Sequence, residues 1–461
     1  MNSNPNSQNL LNLSPLDGRY QKNLSELAAI FSESGLIKTR IYVECEYLLA
    51  LANTKIFPLL GEFSPAERKS IQAVYKNFSI KDAKRVKDIE AVTNHDVKAV
   101  EYFIKEVLEP QIGERIEFIH FGLTSEDVNS TSYALMLKEG VETVIIPQLK
   151  NILSLWKKNA LRYKGLAFPA RTHGQNASPT TLGKEILVFH QRLLRQIERL
   201  ESQEYFGKFS GATGNFSSFL SASEELDWIS FAKNFLHDLE LKQNLVTTQI
   251  EPHDFVAEVC QTLQLANNIL LDFSQDFWRY ISDDFFKQKL KAGEVGSSAM
   301  PHKVNPIDFE NAEGNIGLAN ALLEFLARKL PVSRLQRDLS DSTIFRNLGS
   351  SLGHMLLALK SLQRGIGKLE AQEENISKFL SSSWEVLAEP IQTILRSEGV
   401  EKPYEKLKEL TRGKKITPEK INNFVKELDI SPRAKEKILA LRPENYIGLA
   451  DQIVDRILGE K

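Results

Sequence analysis

From Leu182 to Leu200 the chain reads LGKEILVFHQRLLRQIERL. Its apolar residues recur at every third or fourth position: Leu182, Ile186, Phe189, Leu193, Ile197 and Leu200. This spacing places them on one face of an α-helix. The same pattern runs through four other long segments, residues 144–161, 255–281, 316–330 and 352–369. There is no convincing series of alternating strands, although short β ribbons near the loops are compatible with the sequence, so we predict an all-α fold.

Several of these segments are apolar on more than one side of the predicted helix. Residues 259–281 include the apolar side chains Val259, Leu263, Leu265, Ile269, Leu270, Leu271, Phe273, Phe277, Trp278 and Ile281. A helix with one solvent-exposed face does not have such a pattern, so we expect this helix to be buried between neighbouring helices. Two arrangements stay open, one thick bundle within a single chain or helices packed between subunits.

The length of the chain predicts two or three domains. Its 461 residues, 42% of them hydrophobic, can bury a large core. The character of the sequence changes near residues 110–113 and again near residues 370–374, where the segments become shorter and more charged. We predict an N-terminal helical domain at residues 1–112, a central long-helix bundle at 113–370 and a C-terminal helical domain at 371–461.

Charge and cysteine content limit the partners and the compartment. The formal net charge is -2, whereas nucleic-acid binders normally carry a basic excess, so we expect no nucleic-acid partner. Cys45 and Cys260 are too few for a disulfide framework and suit a reducing compartment. Residues 1–15 lack the features of a signal peptide, and no apolar run is long enough to span a membrane. The sequence therefore predicts a soluble cytoplasmic protein with no membrane partner.

The stretch that differs most from the helices is the loop at residues 293–306, which reads GEVGSSAMPHKVNP. Its glycines and adjacent serines provide a flexible backbone with many amide donors, and Lys303 and Asn305 can fix an anion. A loop that closes over a substrate would have this composition. A plain linker between helices would have it too, because Gly and Ser dominate ordinary loops.

Two shorter polar breaks contain further candidates. Residues 171–175 include His173, which can titrate near neutrality and act as a general acid or base. A lone loop histidine, however, more often only forms hydrogen bonds. Residues 93–96 precede a helical run, and Asn94 or Asp96 would make a good N-cap for it.

The segment Leu123–Asp127 combines a structural and a functional interpretation. Thr124 and Asp127 have the spacing of a capping box at the start of a helix. The free amides of that helix start, together with the hydroxyls of Thr124 and Ser125, form a natural site for a carboxylate or a phosphate. The two interpretations are compatible.

Residues 333–346 are rich in arginine. Five side chains of this segment can hold a phosphate through charge-assisted hydrogen bonds: Arg334, Arg337, Ser342, Thr343 and Arg346. The alternative is a solvated helix face with salt bridges, as most charged runs are. Near the N-terminus, Arg19 stands beside the aromatic Tyr20.

Some patterns are missing from the sequence. No spacing of His, Cys or carboxylate residues predicts a metal site, and no Gly-rich loop between a strand and a helix predicts a phosphate cradle. The short segment 211–214 is not a dinucleotide-binding motif. These observations therefore favour a reaction on an anionic small molecule that uses neither a cofactor nor a metal.

Taken together and in this order, these stretches resemble the fumarase/aspartase superfamily of lyases. Residues 296–306 are similar to the highly specific signature of that superfamily. His302 stands where fumarases and aspartases typically have Gly, and with the histidine motif at 171–175 it is typical of the adenylosuccinate lyase branch. Further matches are residues 15–20, 93–96, 124–127, 248–253, 307–311 and 401–411, the last two similar to the bacterial subgroup. The resemblance covers almost the whole chain, with a small departure at Asn176-Ala-Ser178, where the family commonly has Pro-Ala-Thr.

The resemblance implies an all-α fold of three domains whose long central helices form a bundle at the core of a homotetramer. Each active site would draw loops from three subunits. The implied reaction eliminates fumarate, without a cofactor, from two succinylated purine nucleotide substrates. Adenylosuccinate would give AMP, and the succinylated aminoimidazole carboxamide ribotide would give AICAR. The alternatives are another lyase of the superfamily, such as argininosuccinate lyase, or a non-catalytic helical scaffold, because a fold does not by itself determine a function.

The resemblance also implies roles for individual residues. Ser297 matches the general base and His173 the general acid. The positions that bind the succinyl carboxylates and neighbouring groups are matched by Thr124, Ser125, Gln249, Ser298, Lys303 and Asn305. The positions that hold the nucleotide and its phosphate are matched by Arg19, Tyr20, Arg337, Ser342 and Arg346. The predicted pocket is completed by Asn94, His95, Asp96, Val304, Asn311 and Thr343.

Overall fold

The computed structural model describes residues 11–289, 304–411 and 416–459, and most of them are helical. The first helices are α1 (Ser25–Phe31), α2 (Glu33–Asn53), α3 (Pro65–Lys76), α4 (Ile80–Thr93), α5 (Asp96–Ile112) and α6 (Ser125–Glu139). They are followed by α7 (Ile146–Arg162), α8 (Leu182–Glu201), α9 (Ser217–Ala222), α10 (Trp228–Asp238), α11 (Asp254–Ser282), α12 (Ile307–Lys329), α13 (Ser340–Phe345) and α14 (Leu348–Lys368). The last are α15 (Glu373–Ser381), α16 (Ala388–Ser397), α17 (Pro403–Thr411), α18 (Pro418–Glu427), α19 (Pro432–Ala440) and α20 (Ala450–Leu458). The predicted all-α class is confirmed.

The apolar stripe at residues 182–200 forms the buried face of α8. Each of its six apolar residues is at most 3% exposed, as expected when one stripe of a helix faces a core. The other four stripes fall on α7, α11, α12 and α14. Helical periodicity therefore located the long helices correctly.

Helix α11 is buried on several sides. Leu263 and Leu270 are completely buried and Phe273 is 1% exposed, whereas Leu265 and Trp278 are 41% and 39% exposed. Part of its apolar surface is thus exposed to solvent. None of the described helices, α11 included, has the length and apolar content needed to cross a membrane.

The chain divides into two compact units. Unit 1 comprises Met1–Leu149, Gln196–Asn268 and Gly314–Lys360, and unit 2 comprises Lys150–Arg195, Ile269–Glu313 and Ser361–Lys461. In unit 1, the fully buried Tyr47 donates its hydroxyl to the carbonyl of Phe121 at 2.7 Å. In unit 2, the fully buried Trp156 lies with its ring centroid 4.7 Å from that of Phe273 and 6.0 Å from that of Phe189. The division into three domains remains a prediction.

The strands among the described residues form three two-stranded sheets. β1 (Ala167–Thr172) pairs antiparallel with β2 (Gln175–Thr181). β3 (Phe206–Gly207) pairs parallel with β4 (Lys242–Gln243), and β5 (Phe286–Gln288) pairs antiparallel with β6 (Leu369–Ala371). These ribbons are short, as the sequence allowed, and they do not change the fold class. The β1–β2 hairpin carries His173 between its strands.

Candidate active site

The start of α6 contains the predicted capping box. Thr124 precedes the helix, and its backbone N–H donates to Asp127 Oδ2 at 2.9 Å. Asp127 is completely buried and also accepts from Ser210 N at 2.8 Å and from Lys208 Nζ at 2.6 Å. The Asp127 carboxylate therefore holds the helix start in place. Thr124 and Ser125 remain partly exposed beside the first amides of α6, where an anion can reach them.

Arg337 lies between the start of α6 and Gln249. Its Nη2 atom is 2.8 Å from Glu126 Oε1, and its Nη1 atom donates to Gln249 Oε1 at 3.3 Å. Asp341 Oδ2 lies 3.6 Å from the Nε atom of the same arginine. Burial raises the pKa of Glu126, although the charge of Arg337 acts in the opposite direction. The structure thus brings together Gln249 and Arg337. The resemblance assigns the first to the succinyl carboxylates and the second to the nucleotide and its phosphate.

The turn between α4 and α5 corrects a prediction. Asn94 has a left-handed backbone with φ of 50°, and it ends α4, where its N–H donates to the carbonyl of Glu90. His95 is the N-cap of α5, and its Nδ1 atom accepts from Lys98 N at 3.2 Å. The prediction that Asn94 or Asp96 caps α5 is wrong. Asn94 is the C-cap of α4. Asp96 is the first residue inside α5, and its carboxylate contacts arginines.

Asp96 Oδ2 contacts two arginines. Arg40 Nη2 lies 2.8 Å away and Arg346 Nη2 lies 3.1 Å away. The Nη1 atom of Arg346 is also 2.7 Å from Glu33 Oε2. Burial acts to raise the pKa of Asp96, but Arg40, the backbone N–H of Val97 and the charge of Arg346 together outweigh it, so the pKa lies below its ordinary value. Asp96 is therefore ionised at neutral pH and keeps Arg346 beside the α4–α5 turn.

Asn129 connects the two arginine clusters. Its Oδ1 atom accepts from Arg40 Nε at 2.9 Å, and its Nδ2 atom donates to Glu126 Oε1 at 2.7 Å. A continuous polar chain results, with the members Arg337, Glu126, Asn129, Arg40, Asp96, Arg346 and Glu33. Arg40 is 1% and Asn129 is 7% exposed. These hydrogen bonds and ion pairs link the two clusters within unit 1, although Arg40 Nη1 and Arg337 Nε remain buried donors without a hydrogen-bond partner among the described residues.

Helix α13 carries Ser342 and Thr343 and leads directly into Arg346. Before the helix, Arg334 has a side chain that is 85% exposed and lies 3.8 Å from Asp338. This contact matches the salt-bridged alternative for the segment. The other two arginines of the segment also pair with carboxylates, yet a guanidinium has five N–H donors, so such a pair leaves donors for an anion.

A cavity of about 380 Å³ lies beside Arg346. Asp17 and Gln21 line it together with that arginine. Arg19 and Tyr20 lie between these two lining residues in the chain, and the Arg19 guanidinium carbon is 5.9 Å from the centroid of the Tyr20 ring. The structure therefore brings the predicted Arg19–Tyr20 segment close to one of the predicted phosphate ligands.

In unit 2, His173 lies at the tip of the β1–β2 hairpin. His173 and Gly174 form the two-residue connection, with φ of 53° and 76°, and Thr172 pairs with Gln175. Positive φ at both positions is typical of a type I′ turn, which matches the twist of the flanking strands. The sequence predicted a polar break here, and the structure shows a tight turn that leaves His173 exposed.

Most of the predicted loop at 293–306 lies outside the described residues, and so do three of its candidates, Ser297, Ser298 and Lys303. Val304 and Asn305 are partly buried just before α12. Asn311, on α12, accepts from Ser361 Oγ at 2.7 Å. Within the described part of the chain, no group of three His, Cys, Asp or Glu side chains is placed to hold a metal ion.

Comparisons with known proteins decide the family. A family model described as lyase matches residues 18–319, and one described as adenylosuccinate lyase C-terminal matches residues 333–447. The adenylosuccinate lyase of Haemophilus influenzae is 48% identical over 447 residues, which cover 96% of this chain and 98% of that protein. That of Dictyostelium discoideum is 49% identical over 452 residues, with 96% and 97% covered. The chain belongs to the adenylosuccinate lyase family.

Solved structures share the fold of this adenylosuccinate lyase family member. A fumarate lyase from Mesorhizobium sp. BNC1 has a TM-score of 0.78 at 18% identity, with 95% of this chain and 98% of that chain covered. The 3-carboxy-cis,cis-muconate lactonizing enzyme from Pseudomonas putida has a TM-score of 0.75 at 19% identity, with 94% and 96% covered. At these identities the likeness concerns the fold alone. The resemblance inferred from the motifs is confirmed by the family models and by the full-length relatives.

Sequence reasoning missed the residues that support the adenylosuccinate lyase motifs. Arg40, Asn129 and Glu33 belong to no motif, yet they link the motif residues to one another. One signal was present in the sequence: Arg40 and Glu44 lie about one helical turn apart, on the same face of α2 as the apolar Ile41. Charged residues are almost never fully buried unless they are paired. Both residues are buried, at 1% and 0% exposure, and both are paired.

Proposed function

We propose that this chain is an enzyme that eliminates fumarate from adenylosuccinate, giving AMP, and from the succinylated aminoimidazole carboxamide ribotide, giving AICAR, in purine biosynthesis. The observation that carries the proposal is the identity of 48% to 49%, over 96% of the chain, to adenylosuccinate lyases. The reaction class is that of a carbon–nitrogen lyase. No cofactor takes part in the proposed chemistry.

The mechanism assigns one base and one acid. Ser297 takes the proton from the carbon next to a succinyl carboxylate, and the electron pair left on that carbon forms the double bond of fumarate as the C–N bond breaks. His173 gives a proton to the departing nitrogen. Its exposure at the tip of the hairpin supports this role, because a general acid has to reach the substrate. Lys303 and the amides of the 293–306 loop stabilise the negative charge that develops.

The substrate-binding groups fall into two sets. The succinyl carboxylates are bound by Thr124, Ser125, Gln249, Ser298, Lys303 and Asn305. The amides at the start of α6 support the first two of these, because the N-terminus of a helix favours an anion. The nucleotide and its phosphate are held by Arg19, Tyr20, Arg337, Ser342 and Arg346. The cavity of about 380 Å³ that Arg346 lines supports the role of that residue. The remaining members of the pocket are Asn94, His95, Asp96, Val304, Asn311 and Thr343.

The active form of the enzyme is a homotetramer in which the subunits share their active sites. The partly exposed Leu265 and Trp278 of α11 support this assembly, because apolar residues on a long helix need a partner to be covered. The reaction takes place in the cytoplasm, for which the two free, buried cysteines Cys45 and Cys260 are suited.

The test is to mix the purified protein with adenylosuccinate, without metal or cofactor, and to follow the ultraviolet absorbance change as AMP and fumarate form. We expect turnover in the wild type, and a loss of at least about 10²-fold in Ser297→Ala and in His173→Ala, because general acid–base catalysis contributes ~10²–10⁴. A folded wild-type protein without turnover would contradict the proposal, and argininosuccinate would then be the next substrate. Near-native turnover of a folded His173→Ala variant would contradict the role of His173.

A further inference from the structure

The hairpin that carries His173 has almost no core of its own. Residues 171–176 are exposed, and the fully buried residues Phe168 and Thr181 lie at its other end. A two-stranded hairpin is only marginally stable in water by itself. Contacts with other parts of unit 2 therefore have to hold the turn in place.

The first strand is attached through Arg171, two residues before the turn. Its guanidinium binds the carboxylate of Asp283, and the two side chains are 28% and 15% exposed. Arg279 binds the same carboxylate, with Nη2 3.2 Å from Oδ1. The guanidinium carbon of Arg171 lies 5.7 Å and 5.5 Å from the ring centroids of Phe285 and Phe379. A planar guanidinium that is paired at its edge and lies near two aromatic rings has little freedom to move.

The second strand is attached through two side chains after the turn. Asn176 Nδ2 donates to Glu385 Oε1 at 3.2 Å. Ser178 Oγ donates to the carboxylate of Glu389, which also accepts from the Tyr446 hydroxyl at 3.1 Å. These are the positions at which the chain departs from Pro-Ala-Thr. Proline has no side-chain donor, so the bond to Glu385 depends on the asparagine that this chain has.

We propose that Asp283, Glu385 and Glu389 are positioning residues for the lyase reaction. They fix one strand on each side of the turn and so place His173 against the departing nitrogen; the inference rests on the proposed role of His173 as the general acid. An acid has to come within ~2.6–3.2 Å of its target, and a misplacement of about 1 Å costs on the order of 100-fold in rate. Loosening either strand therefore lowers kcat and leaves KM nearly unchanged.

The decisive comparison is between Asp283→Asn and Asp284→Asn in the full-length protein. Both substitutions remove one negative charge at adjacent positions, but Asp284 is exposed, and asparagine tolerates its positive φ of 57°. With adenylosuccinate as substrate, we expect Asp283→Asn to lower kcat about tenfold with KM within about twofold of the wild type. Asp284→Asn should keep the wild-type values.

The solvent deuterium isotope effect on kcat separates positioning from general weakening. In Asp283→Asn, proton donation by a displaced His173 becomes slower relative to the other steps, so the isotope effect increases. A variant that only unfolds more easily has fewer active molecules, and its isotope effect is unchanged. The double variant Glu385→Gln with Glu389→Gln tests the second strand at exposed positions, where substitutions seldom disturb folding. It should lower kcat severalfold and also increase the isotope effect.

The inference is wrong if Asp283→Asn and the double variant both keep the wild-type kcat and isotope effect. It is also wrong if they raise KM at unchanged kcat, because the residues would then act in substrate binding. An equal loss of kcat in Asp284→Asn would contradict it as well. A wild-type protein without turnover overturns the proposed function itself, so that failure is distinguishable from a failure confined to the variants.

Discussion

Arg40 Nη2 donates to Asp96 Oδ2 at 2.8 Å, so a buried arginine of α2 fixes a residue of the candidate substrate pocket. The Arg40 side chain is 1% exposed, and its Nε atom is held by Asn129 at 2.9 Å. Arg346 contacts the same oxygen of Asp96 at 3.1 Å. Arg40 therefore acts on Arg346 through the shared carboxylate of Asp96. A buried residue of unit 1 thus helps to position Arg346, the proposed phosphate ligand.

This arrangement predicts that Asp96 contributes to the loss of stability at acid pH. Burial raises its pKa, but Arg40, the backbone N–H of Val97 and Arg346 together lower it by more. The folded-state pKa is thus below the unfolded value of ~3.9. A depressed pKa contributes stability that is present above the unfolded pKa and is lost as the pH falls through the folded pKa. The Asp96→Asn variant should therefore lose less stability than the wild type from about pH 5 downward.

The measurement is the free energy of unfolding from urea denaturation at a series of pH values. Asp88→Asn is a suitable control, because Asp88 is exposed on α4, and its pH dependence should follow that of the wild type. Parallel curves for the wild type and Asp96→Asn would show that the paired carboxylate contributes nothing to acid sensitivity.

Arg346 and Glu33 should affect substrate binding in opposite directions. Arg346→Gln removes a charge-assisted hydrogen bond to the proposed phosphate, which costs about 1.5–3 kcal/mol, so KM for adenylosuccinate should rise about tenfold or more. Glu33 Oε2 lies 2.7 Å from the same guanidinium, where a carboxylate competes with an anionic ligand. Glu33→Gln should therefore lower KM. Glu26→Gln, which alters a different acidic residue paired with Lys360, should leave KM unchanged. A higher KM in both the Arg346 and the Glu33 variants would contradict the competition.

Much of the fold could be predicted because burial leaves a periodic trace in the sequence. The stripe of α8 repeats with the helical period since one face of that helix meets the core, and each of its six apolar residues is at most 3% exposed. The strands leave no such trace. β3 and β4 have two residues each, which is too short for an alternating pattern. The turn at His173 depends on positive φ in a histidine, which few residues other than glycine adopt.

The candidate site could be predicted only as far as its motifs extend. Arg40 and Asn129 are 89 positions apart in the chain, so no local pattern can join them. The charge of Arg40 on a face of α2 that also carries the apolar Ile41 indicated that it needed a partner, but the sequence did not show which residue that partner is. At the α4–α5 turn, Asn94 and Asp96 both had side chains suited to cap α5, but His95 occupies the N-cap position. The end of α4 and the start of α5 meet at residues 94 and 95, so a rule for one helix start does not account for both.

Lys208 and Asp127 should be strongly coupled in stability. Both side chains are completely buried, with Lys208 Nζ 2.6 Å from Asp127 Oδ1. Burial lowers the pKa of the Lys208 ammonium, although Asp127 opposes this. Lys208→Met leaves a buried carboxylate without its cation and should cost about 3–5 kcal/mol of unfolding free energy. Combining it with Asp127→Asn should recover part of that loss in a double-mutant cycle from urea denaturation. Additive losses would rule out the coupling.

The pair of His120 and Glu44 should make the protein less stable as the pH rises. His120 Nδ1 lies 2.5 Å from the completely buried Glu44 Oε1. Burial lowers the pKa of His120, but nearby carboxylates, Glu44 foremost, together raise it more, so the folded pKa exceeds the unfolded value of ~6.5. A raised pKa contributes stability that is fully present below the unfolded pKa and is lost as the pH rises through the folded pKa.

A His120→Asn variant separates this titration from the rest of the protein. Asparagine does not titrate, and it tolerates the left-handed φ of 59° that His120 adopts. From about pH 6.5 upward the wild type should therefore lose unfolding free energy more steeply than His120→Asn, as measured by urea denaturation in steps of pH. His237 is the matched control, because its side chain is 87% exposed, and His237→Asn should keep the wild-type slope. Equal slopes for the wild type and His120→Asn would contradict a raised pKa of His120 in the folded protein.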